Sequence, residues 1–438
     1  MKWKDIFTIP DDTLIKDGSV DPMGMQMIWT YFGQQIFQNK LTSVSTDIRN
    51  YTINLIHHLV LYKFENEKSQ YLEEALNQFS AYRNYYDVKA GLLIFMEDLM
   101  VYALMNQKEN VDTRGILGSS KADDELSRNI GSFDLITLHA EKTKGVLVRQ
   151  IQLGVSGRYK GPFMNMGLIT KNFSYIQTEF SKVDRLLMQW PEAVKLVDKL
   201  IEILVKLVQE SNHDYPRATL DQYKNDAELW SLYAECFKYE KVNTALKNYW
   251  EEKLGMKDGA AQSVYKQINK DTVQETSLIF GKALKEEANE EEKVKIQKIL
   301  DVEPLLSICT QVFYLLANTS VKHIEDVQNE LEKLSELLPL SNVKYLTHEN
   351  ARLKMLYNHL DELKGGPQEL ATAVLDYHKK IMENRGGGAW VELDNGQLKH
   401  YIHQSTTRTT EEILSGGYWY HDYYFSAVSS IYNGLNPN

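Results

Sequence analysis

The stretch that most restricts the fold is PEAVKLVDKLIEILVKLVQE, residues 191–210. Val194, Val197, Ile201, Leu204 and Val208 recur at steps of three and four, so they share one helix face. Ala193, Leu196, Leu200, Ile203 and Leu207 are apolar as well. A helix with so broad an apolar face belongs inside a bundle, and Pro191 suits its first turn. The chain therefore reads as mainly α: multi-helix bundle domains with a small Gly-rich basic module and a C-terminal β-hairpin.

The rest of the sequence follows this pattern. Four packed helices are expected over 21–107, the first capped by Asp21 with Pro22 behind it and the second by Ser45 or Thr46. Residues 108–121 read as a loop, and DDELSRNIGSFDLITLHA as one or two short helices. Pro304 is expected to divide the charged helix before it from LLSICTQVFYLLA. Ile324, Val327, Leu331, Leu334 and Leu338 suggest one antiparallel helix pair. AWVELDNGQLKHYI alternates apolar and polar residues about Asn395–Gly396, a strong hairpin signal. The aromatic tail after it returns to helix. The expected domains are a helical 1–110, a basic module over 111–180 for which a winged-helix form is a candidate, a helical bundle over 181–385, and a hairpin-plus-helix tail over 386–438.

At 438 residues, 43% of them hydrophobic and 25% charged, the chain can bury more than one core. Its two cysteines, Cys236 and Cys309, lie far apart within apolar helical patterns. They exclude a disulfide framework or a cysteine-rich metal site and fit buried thiols. MKWKDIFTIPDD lacks a secretory h-region, and no apolar run approaches the ~18 residues that span a bilayer. A cytoplasmic protein without a membrane association is expected.

The chain carries a formal charge of −11, yet no Asp or Glu occurs from Lys142 to Thr178. Lys142, Lys144, Arg149, Arg158, Lys160 and Lys171 all fall there, among glycines. Cations with a glycine-opened backbone suit phosphate contacts, and Tyr159 and Phe163 could stack on bases. The alternative is docking, either on a partner protein or on the protein's own acidic helices, such as the EEANEEE run at 286–292. Lys142, Lys144, Arg149, Arg158, Tyr159, Lys160 and Lys171 are the candidate nucleic-acid or partner-binding residues.

Other chemistry is sparse. There is no Walker-type phosphate loop, no G-x-S-x-G elbow and no paired-histidine metalloprotease motif. His57–His58 point about 100° apart on a helix and do not chelate together. His421–Asp422 could contribute to a metal site only with ligands from elsewhere; a network among tyrosines is the ordinary explanation. Glu392, Asp394 and Lys399 fit a solvated hairpin face better than a Mg²⁺-dependent nuclease. Asp47, Arg49 and Asn50 read as a helix cap with a surface ion pair. No cofactor or bound metal is expected.

Three blocks carry a resemblance: DPMGMQMIWTYFGQQIFQNKLTSVSTDIRNY, GRYKGPFMNMGLI and NRGGGAWVELDNGQLKHY. The chain resembles helical proteins encoded among bacterial phage-defence genes. That resemblance implies a bacterial subunit of a defence complex that acts on or senses foreign DNA. It brings no site residues with it. The resulting expectation is a non-enzymatic subunit that engages DNA or a partner protein through the basic segment. A metal-dependent nuclease or hydrolase and a purely structural helical scaffold are the alternatives.

Overall fold

A computed structural model of the chain describes residues 21–128, 136–141, 143–147, 149–211, 213–268, 275–361, 366–402, 408–416 and 418–437. In chain order its helices are α1 Gln26–Phe37, α2 Ile48–Glu67, α3 Ser69–Gln78, α4 Tyr85–Asn106, α5 Ser119–Arg128, α6 Gln150–Leu153, α7 Val155–Asn165, α8 Gln177–Leu187, α9 Pro191–Glu210, α10 Ala227–Cys236, α11 Thr244–Lys253, α12 Gly259–Lys266, α13 Thr276–Glu286, α14 Glu290–Ala317, α15 Gln328–Glu336, α16 Leu340–Val343, α17 Ala351–Asp361, α18 Pro367–Asn384, α19 Thr410–Leu414 and α20 Phe425–Leu435. The strands are β1 Thr137–His139, β2 Arg217–Thr219, β3 Val391–Asp394 and β4 Gln397–His400. The chain divides into two compact units. One holds 21–36 and Asp258–Phe425; the other holds Phe37–Lys257 and 426–437.

In the second unit α2 is buried along most of its length and packs on α9, α4 and α7. Its N-cap is Asp47, not Ser45 or Thr46: the Asp47 carboxylate accepts from Arg49 N at 2.9 Å. The apolar face of α9 is buried as its periodicity requires, against α2 and α10. The stretch expected to hold short helices yields α5 and then a strand. β1 pairs antiparallel with β2, Leu138 facing Ala218. Only Leu138 of the three β1 residues is buried, a strand alternation too short to register as a period.

The Gly-rich segment does not stand apart as a module. Residues 150–165 form α6 and α7, which pack on α4, and α7 also on α2. Gly157, Gly161 and Pro162 lie inside α7. Tertiary packing and a carboxylate at its N-terminus, described below, outweigh the poor helix propensity of these residues.

In the first unit α14 runs 28 residues straight through Pro304 rather than ending there. Asn289 caps it, accepting from Glu291 N and Glu292 N. Proline removes one backbone bond, and packing of α13, α16, α18 and α19 around α14 outweighs that loss. By length and composition α14 could cross a membrane, but 72% of its most apolar window is buried inside the protein. The hairpin β3–β4 forms as expected. Asn395 (φ 51°) and Gly396 (φ 83°) both take the left-handed conformation that a type I′ turn requires. Helix does not resume directly in the tail: between α19 and α20, Tyr423 and Tyr424 take φ of 45° and 65°. Cys236 and Cys309 are buried free thiols, and burial pushes Cys309 up to about 12.

Candidate functional site

The basic segment is built around two acids of α4. Glu97 and Asp98 are each 1% exposed. Glu97 Oε1 accepts from both the backbone N and the hydroxyl of Ser156, in the first turn of α7. Its Oε2 accepts from Gln150 Nε2 at 3.1 Å. Asp98 Oδ1 accepts from Val146 N at 3.1 Å, and Oδ2 from His139 N at 3.5 Å. Burial pushes Glu97 up to about 6, against the hydrogen bonds from Ser156 and Gln150 that favour its charge. Burial likewise raises Asp98 well above the ordinary range, offset in part by Val146 N and His139 N.

Two glycines permit this approach. A Cβ on Gly154 would collide with Glu97 Oε2, and one on Gly145 with the Gln150 carboxamide. The backbone donors at Val146 and Ser156, which the sequence offered to phosphate, are therefore spent on Asp98 and Glu97.

The predicted binding residues are scattered in burial. Lys142 lies outside the described residues. Lys144 is exposed and 3.6 Å from Glu141. Arg149 and Lys171 are exposed, and Arg158 is half-exposed. Lys160 is half-buried, its Nζ 4.2 Å from the Phe173 ring centre and 4.8 Å from that of Tyr86. Burial and then Lys171 lower its pKa. Tyr159 is buried edge-on against Tyr51 at 4.5 Å, and Phe163 is buried near Trp250. The expectation that Tyr159 and Phe163 stack on bases is thus overturned, because both rings fill the core. The EEANEEE run is engaged locally: Glu290 by Lys293, Glu292 by Lys295 and Ala260 N, and Glu287 by Ser263.

A second cluster was only half visible in the sequence. Glu303 of α14 is fully buried. It accepts from the Ser307 hydroxyl at 2.6 Å, Tyr420 N at 3.0 Å, His421 N at 3.2 Å and the Tyr423 hydroxyl at 2.9 Å. His421 Nδ1 lies 3.0 Å from Glu303 Oε2. The Tyr420 hydroxyl donates to Gln311 Oε1 at 2.6 Å. His421 thus belongs to a hydrogen-bonded network with tyrosines. Among the described residues no group of three or more His, Cys, Asp or Glu could hold a metal. Glu303 was missed because it sits 118 positions from His421. Its available signal was a lone acid inside the apolar run VEPLLSICTQVFYLL.

A cavity of about 400 Å³ adjoins this cluster, lined by Asp21, Trp29, Thr310, Tyr314, Tyr420 and His421 among others. Comparison of the chain with protein-family models, curated proteins and solved structures finds no match.

The other candidates resolve as structural. His57 and His58 are buried, each 3.3 Å from a tyrosine hydroxyl, Tyr233 and Tyr175 respectively. Burial lowers both to about 3, so they are neutral core imidazoles. On the hairpin, Glu392 pairs in register with Lys399. Lys399 sits 2.5 Å from Asp394 and Lys379 3.1 Å from Glu392, so this face is charge-balanced. Arg49 makes no surface pair. It is 3% exposed, 2.7 Å from Asp47, and its guanidinium lies over the rings of Phe237 and Tyr239 at 4.6 and 4.2 Å. It also donates to Asp112 O and Arg114 O, tying the loop after α4 to the start of α2.

Proposed function

We infer that the chain is a binding subunit of a multi-protein assembly and meets an acidic partner protein through the outward cations of the basic segment. The observation that carries this reading is how the segment divides. The rings of Tyr159 and Phe163 and two of the segment's backbone donors are consumed internally by Tyr51, Glu97 and Asp98, while Arg149 and Lys171 are exposed and Arg158 is half-exposed. Cations without accessible rings suit charge-led docking better than base stacking. A net charge of −11 disfavours a long duplex over a localised acidic surface. The resemblance to helical proteins of phage-defence gene clusters fits a role within a complex.

The test is affinity purification of the full chain from its native host, alongside an Arg149→Glu/Arg158→Glu/Lys171→Glu variant. A specific co-purifying protein, lost with the variant and in high salt, supports the reading. Equal recovery with both forms counts against it. Salt-dependent binding of the purified chain to duplex DNA, abolished by the same variant, would shift the assignment to DNA.

A further inference from the structure

The cavity beside Glu303 lies in the other unit and is independent of the docking reading. Its chemistry starts from Glu303, which holds the ring of His421 by Nδ1 at 3.0 Å. A carboxylate there selects the tautomer with its proton on Nδ1, since that nitrogen must donate. In the neutral ring the opposite nitrogen, Nε2, then carries a lone pair. His421 itself lines the cavity, so the cluster prepares an acceptor for a ligand.

The remaining walls match one kind of guest. Trp29, Phe313, Tyr314 and Tyr420 contribute aromatic rings. Asp21 contributes a carboxylate, and none of the described residues lining the cavity is Lys or Arg. Burial and then the charge of Asp21 raise the pKa of Tyr314, so that charge is felt at the wall. Thr310 is 7% exposed and its buried hydroxyl has no hydrogen-bond partner. Such an orphan is destabilising, a penalty that a polar guest or water relieves. Aromatic faces with a nearby carboxylate favour positive charge, although Arg385, which donates to Asp21 O, offsets part of that carboxylate's field. The volume suits a small ligand.

We propose that this cavity binds a small amine in its ammonium form, carried on an apolar or aromatic body. The ammonium faces the aromatic walls and Asp21 and donates to His421 Nε2. The apolar body lies against Trp29 and Phe313.

Isothermal titration of the full chain with phenethylammonium tests this, with 3-phenylpropionate and 2-phenylethanol as anionic and neutral analogues. The ammonium should bind at least about tenfold more tightly than either analogue. Asp21→Asn keeps an oxygen to cap α1 and should weaken the ammonium about tenfold while leaving the alcohol unchanged. Tyr314→Leu, which keeps an apolar side chain and removes the ring, should weaken it as well. Thermal melts check that both variants remain folded. Equal binding of ammonium and anion, no heat with phenethylammonium, or unchanged affinity in folded Asp21→Asn would each overturn the proposal.

Discussion

Gln150 holds Glu97 across 53 positions, its Nε2 donating to Glu97 Oε2 at 3.1 Å while its Oε1 accepts from Leu147 N at 2.9 Å. One carboxamide thus fixes both the acid and the loop that covers it. Between Lys144 and Ser156, the part of the segment that meets Glu97 and Asp98, no acid occurs, in keeping with this arrangement. A further carboxylate beside Glu97 and Asp98 would add like-charge repulsion in a site where burial already disfavours charge.

Glu97 makes stability depend on pH. Its folded pKa, about 6, lies above the ordinary value of 4.5. The native state therefore holds the proton more tightly than the unfolded chain. The resulting stabilisation is fully present below about pH 4.5 and is lost as pH rises through 6, amounting to about 2 kcal/mol. Asp98 acts in the same direction. Urea melts of the wild type and Glu97→Gln across this range should differ by that slope. Parallel stability curves for the two proteins would contradict it.

Glycines of the segment should separate by what surrounds them. Gly154→Ala places a methyl against Glu97 Oε2 and the Gln150 carbonyl, and should cost about 1–3 kcal/mol. Gly161 lies inside α7 with nothing within 4 Å of a Cβ. Gly161→Ala should therefore stabilise by about 0.5–1 kcal/mol through helix propensity alone. Denaturant midpoints of the two variants should move in opposite directions.

The long periodic helices were legible because their burial repeats every three or four residues, as in α9, and the Asn395–Gly396 turn because its backbone demands those residues. What stayed hidden depends on partners distant in the chain. β1 meets β2 about 80 positions later, α7 is capped by an acid of α4, and Glu303 meets His421 from another helix. Arg49 read as a surface ion pair because its cover, Phe237 and Tyr239, comes from much later in the sequence. Gly33 carried a packing meaning that no local pattern revealed. A Cβ there would lie 2.8 Å from the Tyr424 ring, so the glycine lets that ring close on α1.

Glu303 should be the most sensitive position of its unit. Glu303→Ala strands the Ser307 and Tyr423 hydroxyls and the backbone N–H of His421, and leaves Tyr420 N only its bond to Ser307 Oγ at 3.2 Å. The expected cost is about 3–5 kcal/mol. Tyr423→Phe removes one of these donors and should cost about 1–2 kcal/mol. Differential scanning fluorimetry should rank the two in that order. A mild Glu303→Ala would mean that the 420–423 segment is not held by this acid.

His57 and His58 give a pH dependence of opposite sign to that of Glu97. Burial lowers both to about 3, with the charges of His57, Lys160 and Lys89 adding to the effect on His58. The unfolded chain, with ordinary imidazoles near 6.5, therefore takes up protons first as pH falls. Stability is lost progressively below about pH 6.5, across the window where protonation of Glu97 restores it. The wild-type profile between pH 4.5 and 6 should be less steep than the histidine contribution alone, and Glu97→Gln should steepen it. Heteronuclear NMR of the imidazole nitrogens should find His57 and His58 neutral at pH 5. A protonated His57 or His58 at that pH would show that the centre of α2 is open to water.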